Sequence, residues 1–232
     1  MVGIRDDVYS DHFQMQLLED KPFEEPSAIR DGFLPMPTGE LPPTLPELLS
    51  DLEDPAVDKD PEIKSTTRYP FKARTSIQKW LRTTREGELL GKNAPVTQHE
   101  YSSHKPHIRD KFTQMIANGG KIPTKYKTKK FAQRVFRKEW DTNGPNITAT
   151  SLPDDYVHYN QPRVPSVREW ARIQTFPDWY EFRGPRTTGG RRRAGDPDAG
   201  IWDRDVPRYT QIGNAVPVLL AEKIGKHLVG MI

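Results

Sequence analysis

A chain of 232 residues can form one large domain or two modest ones. Only 34% of it is hydrophobic against 29% charged, with 22 prolines and a mean hydropathy of −0.80, so the core is small and much of the chain is loop. The lack of any cysteine excludes disulfides, thiolate metal sites and a thiol nucleophile from this chain. No run approaches the ~20 apolar residues of a membrane span, and the N-terminus lacks the basic-then-apolar pattern of a secretory leader, which makes a cytoplasmic location the expectation.

The net charge of +3 conceals a segregation. Residues 1–60 hold 15 acidic and 4 basic residues, whereas residues 61–140 hold 19 basic and 6 acidic. A basic block of that kind suits a polyanion, although a solvated lysine-rich surface has the same composition.

In chain order, Met1-Val2-Gly3-Ile4-Arg5 reads as the end of a buried strand turning at Asp6-Asp7. Residues 20–62 are rich in proline and acid and read as an extended connection with one short helix, Leu45 to Leu52. Between Tyr69 and Arg85, Ile77, Trp80 and Leu81 recur at helical spacing among Lys79, Arg82 and Arg85, predicting an amphipathic helix with a basic face. A second helix is predicted over Ile108 to Ala117, with Ile108, Phe112, Met115 and Ile116 on one face and Gly119-Gly120 as its stop. Lys121 to Lys130 reads as an exposed basic loop, and Asn146 to Thr150 as a short strand. His104 and His107 lack a cysteine or a nearby acidic third ligand, so no metal is expected there.

Ser166 with Glu169 three residues on is a capping box, so a helix starts there and ends before Phe176-Pro177; a structural role for Glu169 follows. Arg168 and Arg172, four apart, share one face of it. Residues 183–207 form a glycine- and arginine-rich loop holding Arg191-Arg192-Arg193. Asn214 can cap a last helix with Pro217 in its first turn. Its apolar stripe of Leu220, Ile224 and Leu228 must dock against something.

Two strings carry a family resemblance. Arg163 to Phe182, RVPSVREWARIQTFPDWYEF, is similar to the ninth motif region of DNA cytosine-5 methyltransferases, and QIGNAVP, Gln211 to Pro217, resembles the tenth. They stand in the family's order. Val2-Gly3-Ile4-Arg5 resembles the tail of the eighth motif, and Pro43-Thr44 with Leu45 to Leu52 resembles a helix that precedes the recognition domain. The family's glycine-rich S-adenosylmethionine loop, its proline-cysteine dipeptide and its ENV-like motif have no counterpart here. Cytosine C5 is a poor nucleophile until a thiolate adds to C6, and the base must leave the duplex to be reached.

The resemblance therefore implies the C-terminal portion of such an enzyme with no catalytic residue of its own. The implied fold is α+β: a small loop-rich target-recognition domain, plus a strand and a C-terminal helix that would complete an absent doubly wound α/β methyltransferase domain. The implied segments are 1–15, the motif VIII tail; 16–62, a connection; 63–182, the recognition region with the motif IX helix; 183–210, a loop; and 211–232, motif X and the last helix. Asn214, Ala215 and Val216 would line part of an S-adenosylmethionine site, with Asn214 as a plain helix cap the alternative. The motif IX helix would brace the recognition region and bring Arg168 and Arg172 near the DNA backbone, or these two would each sit in a surface ion pair with an acidic side chain. Lys125, Lys127, Lys129 and Lys130 would position double-stranded DNA through its phosphates. A complementary subunit bearing the cysteine is the expected partner, no membrane or metal is expected, and restriction and modification in a bacterial cytoplasm is the setting the resemblance implies. The alternative is a non-enzymatic DNA-binding remnant of an interrupted gene.

Overall fold

The computed structural model describes residues 32, 34–60, 62–127, 133–139, 155–187, 197–200, 202 and 206–230. The chain divides into two compact units, one of Met1–Leu41 with Val216–Ile232 and one of Pro42–Ala215. The architecture is mixed helix and strand, with short helices predominating among the described residues.

The larger unit begins with α1, Leu45–Leu49. Thr44 and Glu47 cap it reciprocally: the Glu47 amide donates to Thr44 Oγ1 at 3.3 Å and the Thr44 amide to Glu47 Oε2 at 2.7 Å. The helix is shorter than the Leu45 to Leu52 expected. A second one, α2 (Pro55–Lys59), follows at once because Asp54 caps it through Ala56 N and Pro55 suits its first turn. The described part of the connection thus holds a second helix that its composition did not announce.

Helix α3 covers Ser76–Arg82 within the expected span, with Thr75 and Gln78 forming another capping box. Its basic face is not all surface, because Arg82 is fully buried. Helix α4, Pro106–Ala117, turns Phe112 and Met115 inward as its periodicity predicted. Gly119 and Gly120 end it at φ of 62° and 87°, a region open to glycine at little cost. Strands β1 (Arg134–Val135) and β2 (Tyr156–Val157) pair in parallel, Arg134 opposite Tyr156. The strand expected over 146–150 and that expected at Met1 to Arg5 lie outside the described residues.

Helix α5, Val167–Ile173, starts from the predicted Ser166 and Glu169 capping box. The core forms around it: the leucines of α1, Leu81 of α3, and Val167, Trp170 and Ala171 pack with Phe136 and Tyr156. Tyr209 and Ile212 of α6, Arg208–Asn214, close this cluster. Phe112 and Met115 make a second cluster with Val157 and Val164. In the smaller unit, α7 (Val218–Val229) has no fully buried residue; Leu220 is exposed, and Ile224 and Leu228 are half-buried. His227 Nε2 lies 2.6 Å from the Gly32 carbonyl oxygen. Among the described residues no helix is long and apolar enough to cross a membrane.

Candidate functional site

The chain carries unusual polarity inside. Four arginines, Arg82, Arg163, Arg168 and Arg172, are among its largest fully buried side chains. Arg163 grips Glu169 with two bonds, Nη1 to Oε2 at 2.7 Å and Nη2 to Oε1 at 2.6 Å, while Glu169 Oε2 also accepts the Ser166 amide at 2.7 Å. Burial alone would raise the Glu169 pKa, but the Arg163 guanidinium outweighs it and holds the carboxyl well below its usual range. The structural role expected for Glu169 is therefore larger than a cap.

Arg172 joins two carboxylates. It donates to Asp51 at 2.5 and 3.2 Å, to Asp178 at 2.6 and 3.0 Å, and to the Leu48 carbonyl at 2.8 Å. Arg82 reaches Asp51 at 3.1 Å and stacks over the Tyr69 ring at 3.6 Å, and the Tyr69 hydroxyl donates to Asp178 at 2.6 Å. Arg168 bonds the carbonyls of Thr97, Pro177 and Tyr180 and lies 3.8 Å from Asp178. Neither Arg168 nor Arg172 presents its guanidinium to solvent, so the expectation of a phosphate contact or a surface ion pair is corrected. A helix at the centre of the core buries even its charged face when Asp51, in the turn after α1, and Asp178, in the segment after α5, converge on it.

Two histidines sit beside this helix, and sequence reasoning singled out neither. His99 lies between the Ser166 hydroxyl, 2.7 Å from Nδ1, and the Leu52 carbonyl, 3.0 Å from Nε2. Burial lowers its pKa to about 4, with Glu169 opposing. His158 accepts the amides of Asn160 and Gln161 at Nδ1, both at 3.1 Å, and burial lowers its pKa to about 3. Both rings are neutral at pH 7.

The basic surface is arranged by one carboxylate. Asp110, on α4, accepts from Gln114 at 2.7 Å, Lys125 at 3.2 Å and the Tyr126 hydroxyl at 2.5 Å, clipping the Thr124–Tyr126 turn to the helix. Those hydrogen bonds, Tyr126 first, lower the Asp110 pKa to about 2. Lys125 and Lys127 are exposed there. Lys129, Lys130 and the Arg191 to Arg193 triplet lie outside the described residues. His104 packs edge-on against Phe112, and among the described residues no three His, Cys, Asp or Glu side chains are grouped to hold a metal ion.

The QIGNAVP string folds differently from expectation. Asn214 is the last residue of α6 and caps nothing; Pro217 occupies the N-cap of α7 and makes no side-chain cap bond. The string begins inside a helix because Tyr209 and Ile212 bury one face of it, which a motif-based boundary misses. Gln174, buried at the exit of α5, donates through Nε2 to the carbonyls of Ile212 and Ala215, both at 3.3 Å. It anchors the turn that leaves Asn214 exposed, with no side-chain hydrogen bond among the described residues. Ala215 closes the larger unit; Val216, also exposed, belongs to the smaller. Gln174→Met keeps the volume and removes both bonds, so it should cost about 1–3 kcal/mol. Hydrogen exchange at residues 212–216 should speed at least about fivefold, since each 1.4 kcal/mol is tenfold when exchange follows local opening; unchanged exchange there would remove Gln174 from this role.

A family model described as C-5 cytosine-specific DNA methylase matches residues 45–230. The type II methyltransferase M.AquIB of Picosynechococcus is 31% identical over 137 residues, covering 58% of this chain and 88% of that relative. M.DdeI of Desulfomicrobium norvegicum is 28% identical, covering 80% of this chain and 42% of its own length, and M.Eco47II of Escherichia coli is 30% identical, covering 64% and 34%. This chain thus spans nearly all of the first relative and well under half of the other two. A solved structure from an Escherichia coli prophage, described as a candidate DNA modification methyltransferase, superposes with a TM-score of 0.50 at 18% identity over 84% of this chain and 49% of that one.

Proposed function

Because the chain belongs to the C-5 cytosine-specific DNA methylase family, we propose that it is the DNA-recognition and cofactor-completing part of a DNA (cytosine-5)-methyltransferase, inactive until a second polypeptide supplies the nucleophile. One observation carries this reading: the family match covers most of the chain, and the chain contains no cysteine. The family's chemistry requires a thiolate on cytosine C6 before C5 can attack a methyl group. A natural relative of similar reach supports it, since the alignment takes in 88% of M.AquIB.

S-adenosylmethionine would supply the methyl group when bound. Asn214 offers it an exposed amide with no side-chain hydrogen bond among the described residues, on a turn that Gln174 anchors. The α4 surface with Lys125 and Lys127 would hold double-stranded DNA by its phosphates, while the ion network inside keeps α1, α3 and α5 in one frame. The type II methyltransferases among the relatives fit restriction and modification as the setting.

Transfer of a labelled methyl group to DNA tests the proposal. The purified chain should give none, and mixing it with the product of the adjacent upstream reading frame should restore transfer. In that mixture Asn214→Ala should raise KM for S-adenosylmethionine about tenfold, the worth of one hydrogen bond to a charged ligand. Activity from the chain by itself would overturn the proposal, and an inert mixture would favour a DNA-binding remnant.

A further inference from the structure

In the larger unit a cleft of about 690 Å³ opens between the turn after α3, at Thr84 to Glu86, and the segment after α5, at Trp179 to Glu181, with Arg183 and Gln211 on its walls. Its volume falls in the roughly 300–1,000 Å³ range of ligand sites. The Arg85 guanidinium lies over the Trp179 ring, 4.2 Å from its centroid. Trp179 and Tyr180 are both exposed. Arg85 and Arg183 are exposed too, and among the described residues neither guanidinium has a hydrogen-bond acceptor or a carboxylate partner. The contrast with the interior is sharp: Arg163 and Arg172 each satisfy their forks against carboxylates, whereas these two are exposed, Arg85 over the Trp179 ring and Arg183 on the wall of the same cleft.

We infer that this cleft is a second DNA contact, separate from the α4 surface, in which Arg85 and Arg183 bond the phosphodiester backbone and Trp179 holds Arg85 flat for that task. The inference rests on the reading that the chain binds DNA. A guanidinium is planar and offers paired N–H donors that match two phosphate oxygens. Stacking on an indole face restrains its plane while leaving that donor edge open. Glu86 and Glu181 line the same cleft and balance its charge. It therefore exerts little long-range attraction; the lysine-rich surface draws DNA in, and the cleft fixes the backbone at contact distance. Arginine beside tryptophan and tyrosine also suits a protein interface, but open guanidinium forks in a protein of a DNA-modifying family favour phosphate.

Titration of a fluorescent DNA duplex with the full chain at several salt concentrations tests this. Arg85→Ala and Arg183→Ala should each weaken binding about three- to tenfold and lower the slope of log affinity against log salt by about one. Trp179→Ala should weaken binding in the same direction, Trp179→Phe should retain it, and Glu86→Gln with Glu181→Gln should tighten it. Unaltered thermal melting of the variants keeps the comparison valid. If Lys125→Ala with Lys127→Ala weakens binding but the arginine variants do not, the cleft is no DNA contact and only the inference falls. If the arginine and Trp179 variants instead lose association with the upstream-frame product at unchanged DNA affinity, the cleft docks protein and the inference is overturned. If the unaltered chain binds no duplex, the proposed function fails with it.

Discussion

Arg172→Met should destabilise the larger unit by about 3–5 kcal/mol, the usual result of leaving buried charge without its partner, and lower its Tm by about 6–20 °C. The reason lies in the arithmetic of the interior. Asp51 and Asp178 are both buried, and Arg172 bonds both at once. Asp51 would keep Arg82 at 3.1 Å, but Asp178 would keep only Arg168 at 3.8 Å and the Tyr69 hydroxyl. Burial would by itself raise the Asp178 pKa, and the Arg172 guanidinium reverses that direction. Adding Asp178→Asn to the variant removes the stranded charge and should recover part of the loss, which a melting experiment on both variants measures. A single variant within about 1 kcal/mol of the parent would show that the network contributes far less than a buried bridge should.

Acid should unfold the protein in two overlapping stages. His99 and His158 are neutral in the fold, with pKa values lowered from 6.5 to about 4 and about 3, burial being the main cause in each. Below pH 6.5 the unfolded chain therefore binds protons that the folded chain refuses, so stability falls as pH falls toward 4. His99 alone accounts for about 3 kcal/mol over that interval at 1.36 kcal/mol per pKa unit. Glu169 and Asp178 titrate below their ordinary values of 4.5 and 3.8 when folded. Their contribution is present above those values and is lost as pH drops further through the folded ones. Denaturant midpoints measured from pH 8 to pH 4 should decline steadily below about 6.5. His99→Phe should flatten the upper part of the curve even if it lowers stability at pH 8, whereas a midpoint constant from pH 7 to pH 5 would contradict the neutral, buried placement of these rings.

What could be read from the sequence was local. The Ser166 and Glu169 capping box, the apolar face of α4 and its glycine stop each involve residues within a turn or two of one another, and they stand as expected. The family was legible in two short strings for the same reason. The partners that decide each side chain's role lie far along the chain and were not. Arg172 looked like a surface cation because nothing near it in sequence announces Asp51, 121 residues earlier. Asn214 looked like a cap because capping chemistry is read from neighbours, whereas the burial of Tyr209 and Ile212 that extends α6 through it is tertiary. Arg85 and Trp179, from turns 94 positions apart in the numbering, had no local pattern to mark them.

The same long reach has a consequence for how the protein is made. Asp51 meets Arg172 across 121 residues and Tyr69 meets Asp178 across 109. At a synthesis rate of about 5–20 residues per second, the first halves of these pairs wait roughly 6–24 s for their partners to leave the ribosome. Until then Asp51, Arg82 and the leucines of α1 and α3 have no interior to enter, and contacts of such sequence separation form slowly even once the chain is released. The larger unit is therefore expected to close late and in one step around α5, and to depend during that interval on whatever shields its nascent leucines from aggregation.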